Sequence, residues 1–554
     1  LPAYGDKRRR NVTPQEAPVP PPARSRPIRL LAAASALVAL TAAIAGCAPQ
    51  SEGEGDADDG HVVSVDAGRL RGSVRDGYRL FQGVPYAAPP TGARRWRPPE
   101  PPAAWDGVRD ATLPGSPCPQ PAMGGAAATG KEDCLFLNVW APERRSGAER
   151  LPVMVWVHGG AYMWGSGDAY PAQRLATQGD IVVVTINYRL GALGYLAHPA
   201  LAGGRDTGNY GLMDQQAALR WVKGNIGAFG GDPGKVTVAG ESAGGASVCG
   251  LLNSPASKGL FRAAVMESGP CAGRGIGAAQ EAATVFATSL GCFVEATAAD
   301  CLRALPASAL TGPPKRGGAR TVSALPDTPA SAVSGLAYGT SLLPGPVVGD
   351  PALKVPVLIG TNHDEVTYVL KGRLQPEEYA SGLEALYGDR AKTVARAYPR
   401  SSHDDDAGLA YGHAVTDGDF ACRTRHVGRA FAPHTKVYAY EFADPDPVSW
   451  SGVQQLFGSK EVGAAHATEL PYLFDFPGVT FTEKQRKLSD RMIAYWSSFV
   501  STLDPNGGNR AHWYPYRTST DSFLSLRPTG SVTINNFGTD HHCGFWQPIV
   551  TGKP

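Results

Sequence analysis

Beyond residue 47 the chain has no run of basic residues. Of its 52 Lys and Arg and 50 Asp and Glu, seven basic residues (Lys7, Arg8, Arg9, Arg10, Arg24, Arg26, Arg29) and two acidic ones (Asp6, Glu16) fall within 1–47, leaving 45 against 48. So nearly neutral a body offers no electrostatic footprint for nucleic acid, and no nucleic-acid partner is expected. No spacing of His, Cys, Asp or Glu reads as a metal site and no glycine loop as a nucleotide cradle, so neither a metal nor a cofactor is expected. There is no internal repeat and, after residue 60, no linker-like stretch. Nothing sets an oligomeric state. The uncharged, mostly apolar stretch Leu30–Gly46 has seventeen residues, short of the roughly 20 that a membrane span needs.

That stretch reads instead as a targeting segment. Arg24, Arg26 and Arg29 precede it, and it ends in Ile44-Ala45-Gly46-Cys47, which resembles a bacterial lipoprotein signal with Cys47 as the lipidated residue. An uncleaved anchor and a plain signal peptide are the alternatives. Residues 48–60 carry Glu52, Glu54, Asp56, Asp58 and Asp59 and no large apolar side chain, the composition of a solvated tether. The expected organisation is an extension and signal over 1–47, an acidic tether over 48–60 and one domain over 61–554. The protein is expected to be exported, either held to a membrane only by a lipid anchor or extracellular. Its other cysteines (Cys118, Cys134, Cys249, Cys271, Cys292, Cys301, Cys422, Cys543) then lie in an oxidising compartment and read as possible disulfides, which sequence alone cannot pair.

What is present, from Leu151 onward, is the alternation of a layered α/β protein. The runs Leu151–Val157 and Ile181–Ile186 are rich in Val and Ile and end in glycine or polar turns, as central strands buried on both faces do. Apolar residues at Ala217, Ala218, Trp221, Val222 and Ile226 give a helical spacing over Leu212–Phe229 that stops at Gly230-Gly231-Asp232-Pro233. Val236–Ala239 reads as a short strand running into Gly240. Further strands are expected at Ala263–Met266, Val355–Ile359 and Val437–Phe442, and a long amphipathic helix at Glu483–Thr502. Together these predict a large, mostly parallel central sheet flanked by helices.

Within that frame, Gly240-Glu241-Ser242-Ala243-Gly244 is a G-x-S-x-G between a predicted strand and a predicted helix. The sharp turn of that motif lifts the serine hydroxyl clear of the sheet, and its neighbours must be small. Alone it carries little weight in a chain with 67 glycines, where a serine that merely caps a helix is the ordinary alternative. About eighty residues earlier, directly after a predicted strand, stands His158-Gly159-Gly160-Ala161-Tyr162. In α/β-hydrolases such a loop supplies backbone N–H groups that, with the N–H following the nucleophile, bind a developing oxyanion; here these are Gly159, Gly160 and Ala243.

With these motifs in place, the sequence resembles the type-B carboxylesterase family, also called the cholinesterase or carboxylesterase/lipase family. Phe229-Gly230-Gly231-Asp232-Pro233, Val236-Thr237-Val238 and Gly240-Glu241-Ser242-Ala243-Gly244-Gly245 match its serine signature, and Glu132-Asp133-Cys134-Leu135-Phe136-Leu137-Asn138-Val139 its second signature. Phe81-Gln82-Gly83-Val84-Pro85-Tyr86-Ala87 with Pro89-Pro90 resembles its N-terminal region. The likeness extends from about residue 62 to Trp546.

The resemblance implies the α/β-hydrolase fold and a serine esterase acting by two-step acyl transfer on small to medium neutral esters. Chain order in this fold is nucleophile, acid, base. The implied acid is Glu365, in Gly360-Thr361-Asn362-His363-Asp364-Glu365 after a strand, although Val366 stands where the family usually has Gly; Asp364 is the neighbour most easily mistaken for it. The implied base is His466, in Gly463-Ala464-Ala465-His466-Ala467-Thr468-Glu469-Leu470-Pro471-Tyr472-Leu473-Phe474, the one of twelve histidines with that setting. Glu241 and Ser268 are implied as supports of the site. The implied disulfides are Cys118–Cys134, Cys292–Cys301 and Cys422–Cys543, with Cys249 and Cys271 left over, to pair or to stay reduced. Residues 119–133 contain no aromatic side chain on which a cationic alcohol could rest. A non-catalytic surface adhesion protein of the same fold, and a lipase or thioesterase with the same triad, are the competing readings.

Overall fold

Val153, Val155 and Val157 point to one face of their strand, Met154 and Trp156 to the other, and all five are fully buried. A strand covered on both faces belongs in the middle of a layered sheet. A computed structural model describes residues 61–121, 128–143, 149–204, 206–269, 271–311, 333–346, 350–448, 450 and 463–551. All belong to one compact unit, Asp58–Pro554. The expected signal segment, Cys47 and the tether lie outside the described residues.

The strands are β1 (Val62–Val65), β2 (Gly68–Arg71), β3 (Ser73–Arg75), β4 (Tyr78–Pro85), β5 (Val108–Asp110), β6 (Phe136–Pro142), β7 (Leu151–Val157), β8 (Val182–Ile186), β9 (Gly231–Glu241), β10 (Ala263–Glu267), β11 (Arg274–Gly275), β12 (Ala337–Tyr338), β13 (Val357–Asn362), β14 (Val437–Phe442), β15 (Phe523–Leu526) and β16 (Val532–Ile534). Eleven form one sheet in the order β16-β15-β14-β13-β10-β9-β7-β8-β6-β4-β3. Every pairing from β15 to β8 is parallel, whereas β16, β6, β4 and β3 add antiparallel edges. Strands β1, β2 and β5 form a small separate sheet, and β11 pairs with β12.

The central elements fall where the apolar pattern puts them, with shifts that have physical causes. The strand expected to start at Val355 starts at Val357, after Pro356, which has no N–H to give to a ladder. It then runs on through the polar Thr361 and Asn362, which still pair with Glu441 and Phe442 of β14. The helix expected over Leu212–Phe229 is α-helical over Tyr210–Asn225 and tightens to a 3₁₀ turn at Ile226–Phe229, closed by Gly230 at φ 86°. The helix Glu483–Thr502 starts at a capping box in which Thr482 and Gln485 exchange hydrogen bonds. It buries Leu488, Met492, Trp496 and Phe499, spaced to share one face against the sheet. Burial of each such side chain stabilises the fold by roughly 1.5–3 kcal/mol.

Four disulfides are formed among the described residues. Cys118–Cys134, Cys292–Cys301 and Cys422–Cys543 are bonded, and so are Cys249 and Cys271, the two that the resemblance left over. Because β9 and β10 are parallel neighbours, with Glu241 opposite Glu267, the helix after β9 and the segment after β10 leave the sheet side by side and bring Cys249 to Cys271.

Candidate active site

Strand β9 ends at Glu241 and the helix Ala243–Asn253 begins at once, so Ser242 alone makes the turn, at φ 56° and ψ −123°. A non-glycine residue in such a conformation costs on the order of 1–3 kcal/mol and persists only where its surroundings enforce it. They do so here by closeness: a Cβ on Gly244 would lie 2.0 Å from the Val157 carbonyl oxygen, and one on Gly240 2.6 Å from the backbone of Gly244. The Ser242 N–H donates to the Glu267 carbonyl at 2.9 Å.

Residues 363–365 after β13 and residues 464–466 hold each other in place. Asp364 N–H donates to the Ala464 carbonyl (3.0 Å), Ala464 N–H to Asp364 Oδ2 (2.9 Å), and His466 N–H to the Glu365 carbonyl (2.7 Å). Asp364 is thereby spent as a clamp, and Glu365 is the carboxylate turned inward. Its Oε2 lies 2.6 Å from His466 Nδ1, while its Oε1 accepts from Thr361 Oγ1 (2.5 Å) and Asn362 N–H (2.8 Å). His466 Nε2 lies 2.8 Å from Ser242 Oγ. The structure thus joins Ser242, His466 and Glu365 in one relay, with Glu365 fully buried.

Glu241 Oε1 also lies 3.2 Å from His466 Nε2. Burial works against a charged His466, but the charges of Glu241 and Glu365, with the Glu365 hydrogen bond, outweigh it, and the ring holds a proton more tightly than an ordinary histidine. Burial pushes Glu241 up to about 7, opposed by His466 and reinforced by Glu365.

The Gly159-Gly160 turn after β7 runs along the nucleophile. A Cβ on Gly159 would come 3.0 Å from Ser242 Cβ, and Gly160, at φ 100°, would place one 2.3 Å from the Trp164 carbonyl oxygen. Ala243 is the first helical residue, so its N–H lacks an intrahelical acceptor. His158 is a support and not a second base: burial lowers it to about 4, its Nδ1 lies 2.8 Å from the Gly159 carbonyl, and its ring stacks on Tyr188 at 4.4 Å. Ser268 is buried at φ 45° in the turn after β10, its N–H donates to the Gly360 carbonyl, and its Oγ has no partner among the described residues.

Several neighbours carry no motif of their own. Glu267 is pushed up to about 8 by burial, an effect that the hydrogen bond from Trp496 Nε1 (2.7 Å) opposes and the charge of Glu241 reinforces. Glu469 is held well above the usual carboxylate range by burial and then by Glu241, Glu267 and Glu365; Asn362 Nδ2 donates to its Oε2. Glu469 stands inside the segment that carries His466, and Glu267 directly before Ser268, which is the only local sign of them. Phe420, in a π-helical turn at Thr416–Ala421, packs its ring 5.1 Å from that of His466 and has no sequence sign at all.

Comparison with known proteins bears on the same residues. A family model described as "Carboxylesterase family" matches residues 59–546. The chain is 35% identical over 503 residues to the para-nitrobenzyl esterase of Bacillus subtilis (strain 168), covering 86% of this chain and 96% of that protein. It is 35% identical over 483 residues to the fumonisin B1 esterase of Sphingopyxis macrogoltabida (82% and 85%) and 31% identical over 542 residues to the cocaine esterase of Homo sapiens (90% and 93%). Among solved structures, a thermophilic PNB esterase superposes with a TM-score of 0.73 at 30% identity, covering 88% of this chain and 99% of its own.

Proposed function

We propose that this chain, which belongs to the carboxylesterase family, has the α/β-hydrolase fold and hydrolyses carboxylic esters, works through Ser242, His466 and Glu365 by way of an acyl-enzyme. The relay of short hydrogen bonds from Ser242 Oγ through His466 to Glu365 carries this reading. In its neutral form, with its Nδ1–H on Glu365, His466 presents the Nε2 lone pair to accept the Ser242 proton as Oγ attacks the ester carbonyl carbon. The carbonyl oxygen becomes an oxyanion, held by the N–H groups of Gly159, Gly160 and Ala243. Collapse breaks the ester C–O bond, and the alcohol leaves with the proton from His466. Water then repeats the sequence on the acyl-enzyme and releases the carboxylic acid and free Ser242.

Small to medium neutral esters are the substrate class we favour. The competing reading of a non-catalytic adhesion protein needs a lost nucleophile, and Ser242 is present with its base within reach. Ser242→Ala removes one hydroxyl, so it is expected to abolish turnover of p-nitrophenyl butyrate above the residual of an oxyanion site while leaving Tm nearly unchanged. Turnover retained at a tenth of the parent rate would overturn the assignment.

We further propose that the protein is exported and lipid-anchored at Cys47. Among the described residues no helix is long and apolar enough to cross a membrane, so attachment by this route would rest on the lipid alone. Cys47→Ser is then expected to move the protein from the membrane to the soluble fraction on ultracentrifugation; unchanged partitioning would refute the lipobox reading.

A further inference from the structure

The segment between β13 and the triad acid holds a histidine that ester hydrolysis leaves unused. His363 meets three residues from distant parts of the chain: Glu441 on β14, Asp540 at the end of the short helix Phe537–Asp540, and His541 after it. One ligand-type atom from each of the four lies within 4.8 Å of all the others. His363 Nε2 stands 3.5 Å from Asp540 Oδ2, and His541 Nε2 3.0 Å from Glu441 Oε1. Ligands bound at 2.0–2.1 Å around a tetrahedral centre are about 3.3 Å apart, between these two values.

Each of the two rings has a carboxylate on its Nδ1. His541 Nδ1 lies 2.7 Å from Asp417 Oδ1, and His363 Nδ1 lies 3.0 Å from Asp364 Oδ1. A carboxylate on Nδ1 fixes the ring and its tautomer and leaves Nε2 as the electron-pair donor, the arrangement that zinc-bound histidines use. Asp417 is itself fixed by the Tyr398 hydroxyl, which donates to its Oδ2 at 2.7 Å. His541 and Glu441 are buried, whereas the side chains of His363 and Asp540 are 40% and 46% exposed. The inner ligands are thus preformed, and of the four, His363 lines a cleft of about 570 Å³ that opens to solvent.

We propose that His363, Glu441, Asp540 and His541 bind one divalent zinc-class cation. Two imidazole nitrogens and two carboxylate oxygens suit zinc better than calcium or magnesium, which favour all-oxygen shells. Such an ion would add positive charge where four carboxylates (Asp364, Asp417, Glu441, Asp540) meet three imidazoles, those of His363, His541 and His542, the last on Asp417 Oδ2 at 3.2 Å, and would tie the C-terminal segment to the ends of β13 and β14. This inference stands apart from the esterase assignment, because none of the four ligands touches Ser242 or His466 in the relay.

The test uses the whole exported protein, stripped with EDTA, dialysed, and titrated with zinc sulfate under calorimetry and thermal melting. Expected are one zinc per chain and a Tm raised by at least about 2 °C at a hundredfold excess over Kd. Asp540→Asn and His363→Asn, both at exposed positions, are expected to weaken zinc binding by more than about 100-fold while the zinc-free proteins keep the parent Tm. Should either variant fold poorly, cobalt(II) on the parent protein serves instead: visible bands of four-coordinate intensity, without thiolate charge transfer and lost on adding one equivalent of zinc, are expected. Binding of less than a tenth of an equivalent, binding that well-folded variants leave unchanged, uptake of calcium in preference to zinc, or six-coordinate cobalt bands would each overturn the proposal and leave the cluster as an ion-pair network.

Discussion

At the scale of single residues, adjacent carboxylates have opposite duties. Asp364 binds the Ala464 N–H and His363, outside the relay, while Glu365 faces His466 Nδ1 with its other oxygen already held by Thr361 and Asn362. In Glu365→Gln the two donors keep the amide oxygen on their side, so the NH₂ group faces Nδ1. That favours the His466 tautomer with its proton on Nε2, which cannot accept from Ser242. The expected loss in kcat is about 10⁴-fold, the scale seen when another hydrolase triad acid is replaced by its amide. Asp364→Asn keeps an oxygen for the Ala464 N–H and is expected to cost less than about tenfold. Steady-state kinetics on both variants decides this, and the reverse ranking would transfer the acid's role to Asp364.

At the scale of elements, the helix Glu483–Thr502 does more than cover the sheet. Its Trp496 delivers an indole N–H to Glu267 at the end of β10, the same residue whose carbonyl holds the Ser242 N–H. Glu267 is fully buried and pushed up to about 8, chiefly by burial. A carboxyl whose folded pKa is raised binds its proton more tightly in the native state. The stability it confers is therefore fully present below its unfolded pKa of about 4.3 and is lost as pH rises toward 8. In Glu267→Gln that loss disappears while the shape and the acceptor for Trp496 remain. The variant is thus expected to gain on the parent in Tm progressively from pH 5 to pH 8; a constant or shrinking gap would mean that Glu267 is already charged when folded.

These elements also show what local pattern can reveal. The Val-rich runs of β7 and β8, the strand into Ser242 and the helix Glu483–Thr502 are all legible, because burial on one or both faces imposes a period on the sequence. The tail of β13 is not, since Thr361 and Asn362 are polar and are held in the sheet by pairing with β14 and by their service to Glu365 and Glu469. The seating of Phe420 on His466 is likewise hidden, because their contact spans 46 positions and neither residue implies the other. Ser242, Glu365 and His466 stand in recognisable segments, but only the fold shows that Asp364 is a clamp. The His363, Glu441, Asp540 and His541 cluster follows no ligand spacing along the chain, having been assembled from the ends of two strands and the C-terminal segment.

At the scale of the whole molecule, the order of the chain decides which cross-links matter most. Cys422 begins the helix Cys422–Phe431 and Cys543 begins the last described helix, Cys543–Val550, so their bond joins positions 121 residues apart. Between them lie β14, the segment bearing His466, the helix Glu483–Thr502 and β15. Cys292–Cys301 closes a span of only 9 residues beside its own helix. If a disulfide acts mainly by restricting the unfolded chain, the long closure stabilises by about 5 kcal/mol and the short one by about 2.6 kcal/mol. Both pairs are largely buried, so replacing each by two alanines adds packing losses of similar kind, and the difference between the variants reports loop length. The Cys422→Ala/Cys543→Ala protein is therefore expected to unfold at a clearly lower guanidinium midpoint than the Cys292→Ala/Cys301→Ala protein, with both below the parent. An m-value that rises only in the first would trace the effect to an unfolded chain that expands once the long bridge is gone, whereas equal midpoints would show that chain entropy is not what the long bridge contributes.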